Sequence, residues 1–600
     1  ALDDVQAGTG QYTTFSVGNG SKDSAVGKDG DGKLVANPNP GKLTPVTDSS
    51  ASGSSWATGT KTYNNAVDVD IYGNPQLNLF ELAKAAGKAT GNVTTAEIQD
   101  ATPAVLESHS SERACYGPQG KTDGTSNNAS KQCLINQLKE NGGIGSISEQ
   151  LLDTRADVTI GGGSKYFRQT VQGGEYKGKT VWEQAKEMGF QTVENDPAAM
   201  NALQYKDGQP VLALMSDGNM PTKFNPSKAT AKDPAKDANP TVCTPNADWL
   251  GNQGSSLKDM TKKALDLLND NPNGQKNGFF LQVEGASIDK QDHAGNACGQ
   301  IGETDDFDQA IAYAMQNVDL TNTLVIVTAD HAHTSQILNA QPAYALSTVL
   351  KTADGNNMVV SYGTAQDDSR DADGGYNGGD MEHTGTQLRI AASGPGAQRV
   401  IGLTDQTDNF YTIAGALGLA TSTESQKALS DNGTVKVSAA DGKFTADVDG
   451  FNGDAVLSYE LKDKNDKTVA ASDSSTPLSG VRVKTAQTTP IALDGVTEGS
   501  EYTLTVTGRQ SGKAVTVDFQ APAANSADKN NGKPGVGAAG ADKDGVIASG
   551  KVSDSAQAGP FGAALLGKTG TAVLAASIAI AMLVAVAMLV KTAKAAKNDR

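Results

Sequence analysis

Aromatic side chains are scarce in this sequence, at 5% of residues, and cysteine and histidine are scarcer, with four and five copies in 600 positions. No two cysteines have the C-x-x-C spacing, so a structural zinc knuckle is disfavoured. Cys115, Cys133, Cys243 and Cys298 allow three pairings, and two disulfides formed in an oxidising compartment are preferred over buried free thiols. Positive charge is in deficit. The formal net charge of −18 argues against a specific nucleic-acid partner, which needs a basic footprint. It leaves room for a small anionic substrate, because a local cationic site outweighs a diffuse field. The opening ALDDVQAGTG has no Met, no basic stretch and no apolar h-region. An exported chain should carry a signal peptide, so either it has been removed or the chain is a fragment.

Export is expected because of what stands at the other end. Ala572–Val590 reads AVLAASIAIAMLVAVAMLV, and Lys591, Lys594, Lys597 and Arg600 follow it. An apolar run of that length predicts a transmembrane helix, and the basic tail predicts that everything before it lies outside the cell. LGKTG (566–570) resembles the LPxTG sorting signal of Gram-positive bacteria, with Gly567 in the place of the proline. The expected location is therefore the extracellular face of a Gram-positive bacterium, held at the plasma membrane or the cell wall.

From about residue 60 to 420, helix-like and strand-like segments alternate. NLFELAKAAG (78–87) and SLKDMTKKALDLLND (256–270) have helical apolar spacing, whereas GFFLQVEG (278–285) and TLVIVTAD (323–330) are short apolar runs. Such runs predict strands buried on both faces of an α/β sheet, with ligands gathering at the strands' carboxyl ends. Both runs end in acidic residues, Glu284 and Asp330. Residues 421–433 read as a linker. Residues 434–520 alternate apolar and polar positions between Gly- and Asp-rich turns, predicting a small all-β sandwich of immunoglobulin or fibronectin type. Residues 521–565 read as a flexible spacer. DGDG at 29–32 lacks EF-hand spacing, since Lys33 falls where a ligand is needed, and reads as a solvated loop.

Four of the five histidines fall after residue 290, each close to Asp or Glu. EGASIDKQDHAGNAC (284–298) places Asp289 and His293 at i and i+4, on one face of a helical turn. Asp330 and His331 follow a predicted strand, and His383 precedes another. Imidazole with carboxylate is a zinc-type ligand set. VTDSSASGSSWATGTKTYN (46–64) adds Ser49 before a run of small residues, which would let a helix N-terminus come close to an anion.

With these stretches, TGQYT (9–13), AKAAGKATGNVTTAEIQDATPA (83–104), SERACYGP (111–118), ADVTIGGG (156–163), SDGNMP (216–221), NTLVIVTADHAH (322–333), EHTGTQLRIAASGP (382–395) and GLTDQTDNFYT (402–412) resemble the bacterial alkaline phosphatase family over about residues 1–420. The resemblance implies a three-layer α/β sandwich with a central, mostly parallel sheet. It implies a phosphomonoesterase that acts on small phosphate monoesters through a phosphoserine intermediate, with two Zn2+ and one Mg2+ per subunit, and a homodimer. Ser49 matches the nucleophile and Arg113 the arginine that clamps phosphate. Asp289, His293 and His383 match the ligands of one zinc, Asp330 and His331 ligands of the second, and Thr102 and Glu284 ligands of the magnesium. Asp48, Asp100, Lys290 and His333 match positions that orient ligands or bind phosphate through water. Cys115–Cys133 and Cys243–Cys298 match the family's disulfides.

The family's first strand ends in a GDGMGD-like motif whose Asp bridges the second zinc and the magnesium. It should precede TGQYT, yet only eight residues precede Thr9. The resemblance thus implies a chain truncated at its N-terminus, metal-poor at the second zinc and impaired. The alternative reading is a non-catalytic surface module for adhesion, displayed on the β-sandwich. A sulfatase is disfavoured because Ser49 lacks the C-x-P-x-R context, and a phosphodiesterase because Arg113 suits a terminal, dianionic phosphate.

Overall fold

Helix starts in this chain carry their own caps. Asp48 accepts from the Ala51 N–H at the head of α1 (Ser49–Thr58), and Gly59 ends α1 in the left-handed region at φ 76°. Asn78 and Glu81 form a capping box at α2 (Leu79–Ala85), and Ser256 with Asp259 does the same for the Leu257–Asp270 helix. Both helices expected from apolar spacing are therefore present. The computed structural model describes residues 2–18, 26–28, 34–36, 42–120, 133–364, 381–522 and 545–552. The DGDG loop at 29–32, the LGKTG motif, the Ala572–Val590 span and the basic tail lie outside the described residues. Among the described residues no helix is long and apolar enough to cross a membrane.

The α/β region is built on a five-stranded, all-parallel sheet in the order Phe279–Glu284, Ala89–Glu97, Val158–Gly162, Val211–Leu214, Gln191–Glu194. Leu257–Asp270 lays Leu257, Met260, Ala264 and Leu268 on this sheet, against Val93, Val158 and Ile160. A second sheet has the order Val325–Val327, Leu388–Ser393, Gly8–Thr13, Gly402–Asp405, with Leu388–Ser393 antiparallel to both neighbours. The five-stranded sheet is the parallel sheet expected, and the second sheet is mixed. The two apolar runs expected to be buried on both faces, Phe279–Glu284 and Val325–Val327, are only partly buried. The reason is their position: each is an edge strand, paired on one side only among the described residues.

The disulfides are Cys115–Cys133 and Cys243–Cys298, the pairing implied by the resemblance.

Residues 421–433, read as a linker, contain a helix at Thr423–Ala428 capped by Ser422. Beyond it the strands form two antiparallel sheets. One runs Thr489–Ala492, Lys443–Asp449, Thr434–Ala440, Val546–Lys551; the other runs Thr468–Ala471, Val456–Asp463, Glu501–Gly508, Ala514–Gln520, with Val481–Arg482 added beside Val456–Asp463. Alternate residues of both sheets, among them Val435, Val437, Leu461, Leu504 and Val517, fill one core. Val546–Lys551 falls inside the stretch read as spacer, yet it pairs with Thr434–Ala440.

Candidate active site

Three strand ends and one helix start converge. The Ala89–Glu97 strand leads to Asp100 and the short Ala101–Ala104 helix, Phe279–Glu284 leads to the Ser287–His293 helix, and Val325–Val327 leads to Asp330, His331 and His333. α1 brings Ser49 to the same place, with its Oγ 3.0 Å from His331 Nε2. This is the carboxyl-end location expected of an α/β sheet.

Asp48 joins the nucleophile to its surroundings. Its carboxylate accepts from Ser50 Oγ, the Ala51 N–H, the Asn65 N–H and Arg113 Nη1, the last at 3.1 Å. Arg113 Nη2 donates to Asp100 Oδ1 at 2.9 Å, and Lys290 and the Tyr116 hydroxyl also donate to Asp100. Burial alone would raise the Asp100 carboxyl; Lys290 and Arg113 outweigh it and hold the group well below the usual carboxylate range. The reverse pull by Asp100 and Asp48 overcomes burial at Arg113 and holds its guanidinium above its ordinary value.

Asp289 Oδ1 lies 3.4 Å from His293 Nε2, 3.7 Å from His331 Nε2, 3.3 Å from His333 Nε2 and 3.4 Å from His383 Nε2. Burial would raise Asp289, but the four imidazoles outweigh it and hold it well below its ordinary value. Asp289 Oδ1 is buried without a hydrogen-bond partner, and one ligand atom each from Asp289, His293, His333 and His383 lies within 4.8 Å of the others. An orphaned carboxylate oxygen among imidazoles is what a divalent cation satisfies, so a metal fits here.

The backs of the rings separate ligands from supports. His293 Nδ1 faces the Met381 carbonyl, His383 Nδ1 faces the Thr47 carbonyl at 2.9 Å, and His331 Nδ1 faces the Ala332 carbonyl at 3.3 Å. A proton on each Nδ1 leaves Nε2 with its lone pair toward the cluster, the tautomer a metal ligand needs. His333 is the opposite, because its Nδ1 accepts from the Thr334 N–H at 2.9 Å, so its proton sits on Nε2 and points at Asp289. Burial lowers both His331 and His333, whereas Asp289 and the Thr47 carbonyl outweigh burial at His383 and raise it.

Asp330 Oδ2 is 3.3 Å from His331 Nε2. Its carbonyl accepts from Ser52 Oγ at 2.8 Å and Gln406 Nε2 at 2.6 Å, which ties the Asp330 backbone to α1 and to the head of the Gln406–Leu417 helix. Neither Ser52 nor Gln406 was picked out individually from the sequence, although both lie in stretches that carry the resemblance. Glu284 accepts from Thr94 Oγ1 and is raised by burial to about 7. Gln282, on the same strand, donates to the Thr102 carbonyl, which sets Thr102 beside that strand. His109 lies elsewhere, fully buried between the Asp68 carbonyl and Glu81.

The family model for alkaline phosphatase matches residues 35–419. The chain belongs to the alkaline phosphatase family. It is 50% identical over 381 residues to alkaline phosphatase of Escherichia fergusonii, a match covering 63% of this chain and 75% of the relative. It is 49% identical over 414 residues to alkaline phosphatase of Escherichia coli, covering 68% of this chain and 78% of the relative. Streptomycin-6-phosphate phosphatase of Streptomyces griseus is 40% identical over 389 residues, covering 63% and 80%. The alkaline phosphatase match covers every side chain of the site, leaves out the Gly8–Thr13 strand, and ends before the two antiparallel sheets begin.

Proposed function

We infer that Ser49 is the nucleophile of this metal-dependent phosphomonoesterase. The single observation that carries the reading is the placement of Ser49 Oγ at the start of α1, 3.0 Å from His331 Nε2, next to a residue, Asp48, that also holds Arg113. A phosphate monoester enters with its dianionic end toward the N-terminus of α1, whose dipole favours negative charge. Arg113 offers a planar fork to two phosphate oxygens, and Asp48 and Asp100 fix the orientation of that fork. Ser49 Oγ attacks phosphorus, the ester P–O bond breaks, and the alcohol leaves. Water then attacks the phosphoserine, the Ser49 O–P bond breaks, and inorganic phosphate is released.

Asp289, His293 and His383 would hold one Zn2+, Asp330 and His331 a second, and Thr102 and Glu284 a Mg2+. Bound there, the cations lower the pKa of the Ser49 hydroxyl and neutralise charge on the phosphoryl and leaving oxygens. His333 turns its Nε2 toward Asp289 Oδ1, 3.3 Å away, while Lys290 and Asp100 orient phosphate through water. The site grips phosphate rather than the alcohol, which supports broad specificity. The C-terminal apolar span and basic tail support display outside the cell, through a membrane helix or through cleavage at LGKTG.

The test is release of nitrophenol from p-nitrophenyl phosphate with zinc and magnesium supplied. Ser49→Ala is expected to lower kcat by at least ~10³-fold. Turnover that survives the substitution within tenfold would overturn Ser49 as nucleophile.

A further inference from the structure

The strand Val481–Arg482 belongs to the C-terminal sheets, but its arginine leaves them. Arg482 is 5% exposed and donates through Nη2 to Glu81 Oε1 of α2 at 2.6 Å, and to Thr154 Oγ1 at 3.3 Å. Its Nη1 is held at home by the Ala455 and Val483 carbonyls. Glu81 is fully buried, and its Oε1 also faces His109 Nε2 at 2.9 Å. His109 Nδ1 faces the Asp68 carbonyl at 3.0 Å. Both ring nitrogens thus face oxygen atoms of the protein. Arg482, Glu81 and His109 form a buried, hydrogen-bonded row.

Two branches run from this row to the reacting groups. His109 begins the segment that ends at Arg113, and that segment is pinned by the Val67–Ser110 backbone pair and by the Arg113 N–H to the Asn65 carbonyl at 2.8 Å. Asp68, which His109 holds by its carbonyl, donates its own N–H to Ser54 Oγ on α1, the helix that starts at Ser49. Apolar contact joins the two parts around the row: Ala455, Val456 and Leu478 of the C-terminal part share one buried cluster with Leu79, Phe80 and Ile147.

We propose that Arg482 is a positioning residue for the phosphatase reaction, acting through Glu81 and His109 on the segment that carries Arg113 and on α1. On this view the C-terminal sheets are a working part of the enzyme rather than a stalk. The proposal rests on the reading of Ser49 and Arg113 given above.

The experiment compares the full chain with Arg482→Met and Arg482→Lys, each with zinc and magnesium. Amide hydrogen exchange is followed at residues 65–68 and 109–113, and kcat and KM are measured on p-nitrophenyl phosphate. Arg482→Met is expected to speed exchange in both segments at least tenfold, to lower kcat at least tenfold and to raise KM. Arg482→Lys, which keeps the charge on Glu81, is expected to recover most of both and to remain folded if Arg482→Met does not. Exchange at 65–68 and 109–113 unchanged in Arg482→Met and Arg482→Lys, with kcat within twofold of the parent, would overturn the proposal and leave Arg482 as an anchor between the two parts. The exchange readout does not need turnover. Failure of the Ser49 reading would appear separately, as activity persisting in Ser49→Ala, and would leave the exchange result standing.

Discussion

At the scale of single residues, the two zinc positions proposed above differ in ligand number. Asp289, His293 and His383 supply three donors to one, whereas Asp330 and His331 are the two side chains assigned to the other among the described residues. Fewer protein ligands mean weaker retention, so the second cation should leave first. Titration with a chelator is expected to abolish turnover when the first equivalent of zinc departs, with the remaining equivalent leaving at higher chelator; activity that persists until both are gone would contradict the assignment. A second residue-scale prediction concerns Glu107, which the catalytic reading does not use. Its carboxyl is fully buried, accepts from Asn92 Nδ2 and Thr159 Oγ1, and is raised by burial from 4.5 to about 8. The folded state therefore holds a proton there that the unfolded chain has lost, so stability falls as pH rises from about 4.5 to about 8 and is flat above. The loss from this group is on the order of 5 kcal/mol across that window. Urea midpoints at pH 5, 7 and 9 are expected to fall less in Glu107→Gln than in the parent; parallel declines would show that Glu107 is not the source.

At the scale of elements, the local pattern told helix from strand well and burial poorly. NLFELAKAAG and SLKDMTKKALDLLND fold as helices because capping and apolar period agree in one short stretch. The i, i+4 spacing of Asp289 and His293 was legible for the same reason. The half-burial of FFLQVE and VIV was not, because burial depends on which strand lies alongside, and pairing is decided far away in sequence. The Thr423–Ala428 helix and the Val546–Lys551 strand fall in stretches that read as linker and spacer, the second because the residues around it are rich in Ala, Gly, Asp and Lys and lack aromatics. His333 was given its orienting role by resemblance alone, whereas the Thr334 N–H on its Nδ1 supplies the physical reason. The IGGG run marks a packing need that sequence does not explain by itself. A Cβ on Gly162 would lie 2.0 Å from the Gly218 carbonyl oxygen, a backbone atom with nowhere to go. The 216–220 turn is fixed by the Gly163 N–H to the Ser216 carbonyl and the Met220 N–H to the Thr95 carbonyl. Gly162→Ala is expected to cost about 3 kcal/mol and to loosen this turn, as read by thermal melting; a variant as stable as the parent would show that the turn yields freely.

At the scale of the whole molecule, the C-terminal sheets are packed into the α/β region rather than tethered to it. The Gly480 N–H donates to the Gly142 carbonyl, the Ile144 N–H to the Leu478 carbonyl, and Gln510 Nε2 to the Pro75 carbonyl. Val456 and Leu478 lie in the same buried cluster as Leu79 and Phe80, and each such side chain is worth roughly 1.5–3 kcal/mol. Glu81, brought down to about 2 because His109 and Arg482 outweigh burial, would lose its Arg482 partner if the sheets were removed. Removing one partner of a buried ion pair costs about 3–5 kcal/mol. A chain ending at residue 420 therefore loses apolar cover and a charge partner together, against a domain stability of roughly 5–15 kcal/mol. Such a fragment is expected to be poorly soluble or to melt well below the full chain by calorimetry. A fragment that melts at the temperature of the full chain would return the C-terminal sheets to the role of a spacer.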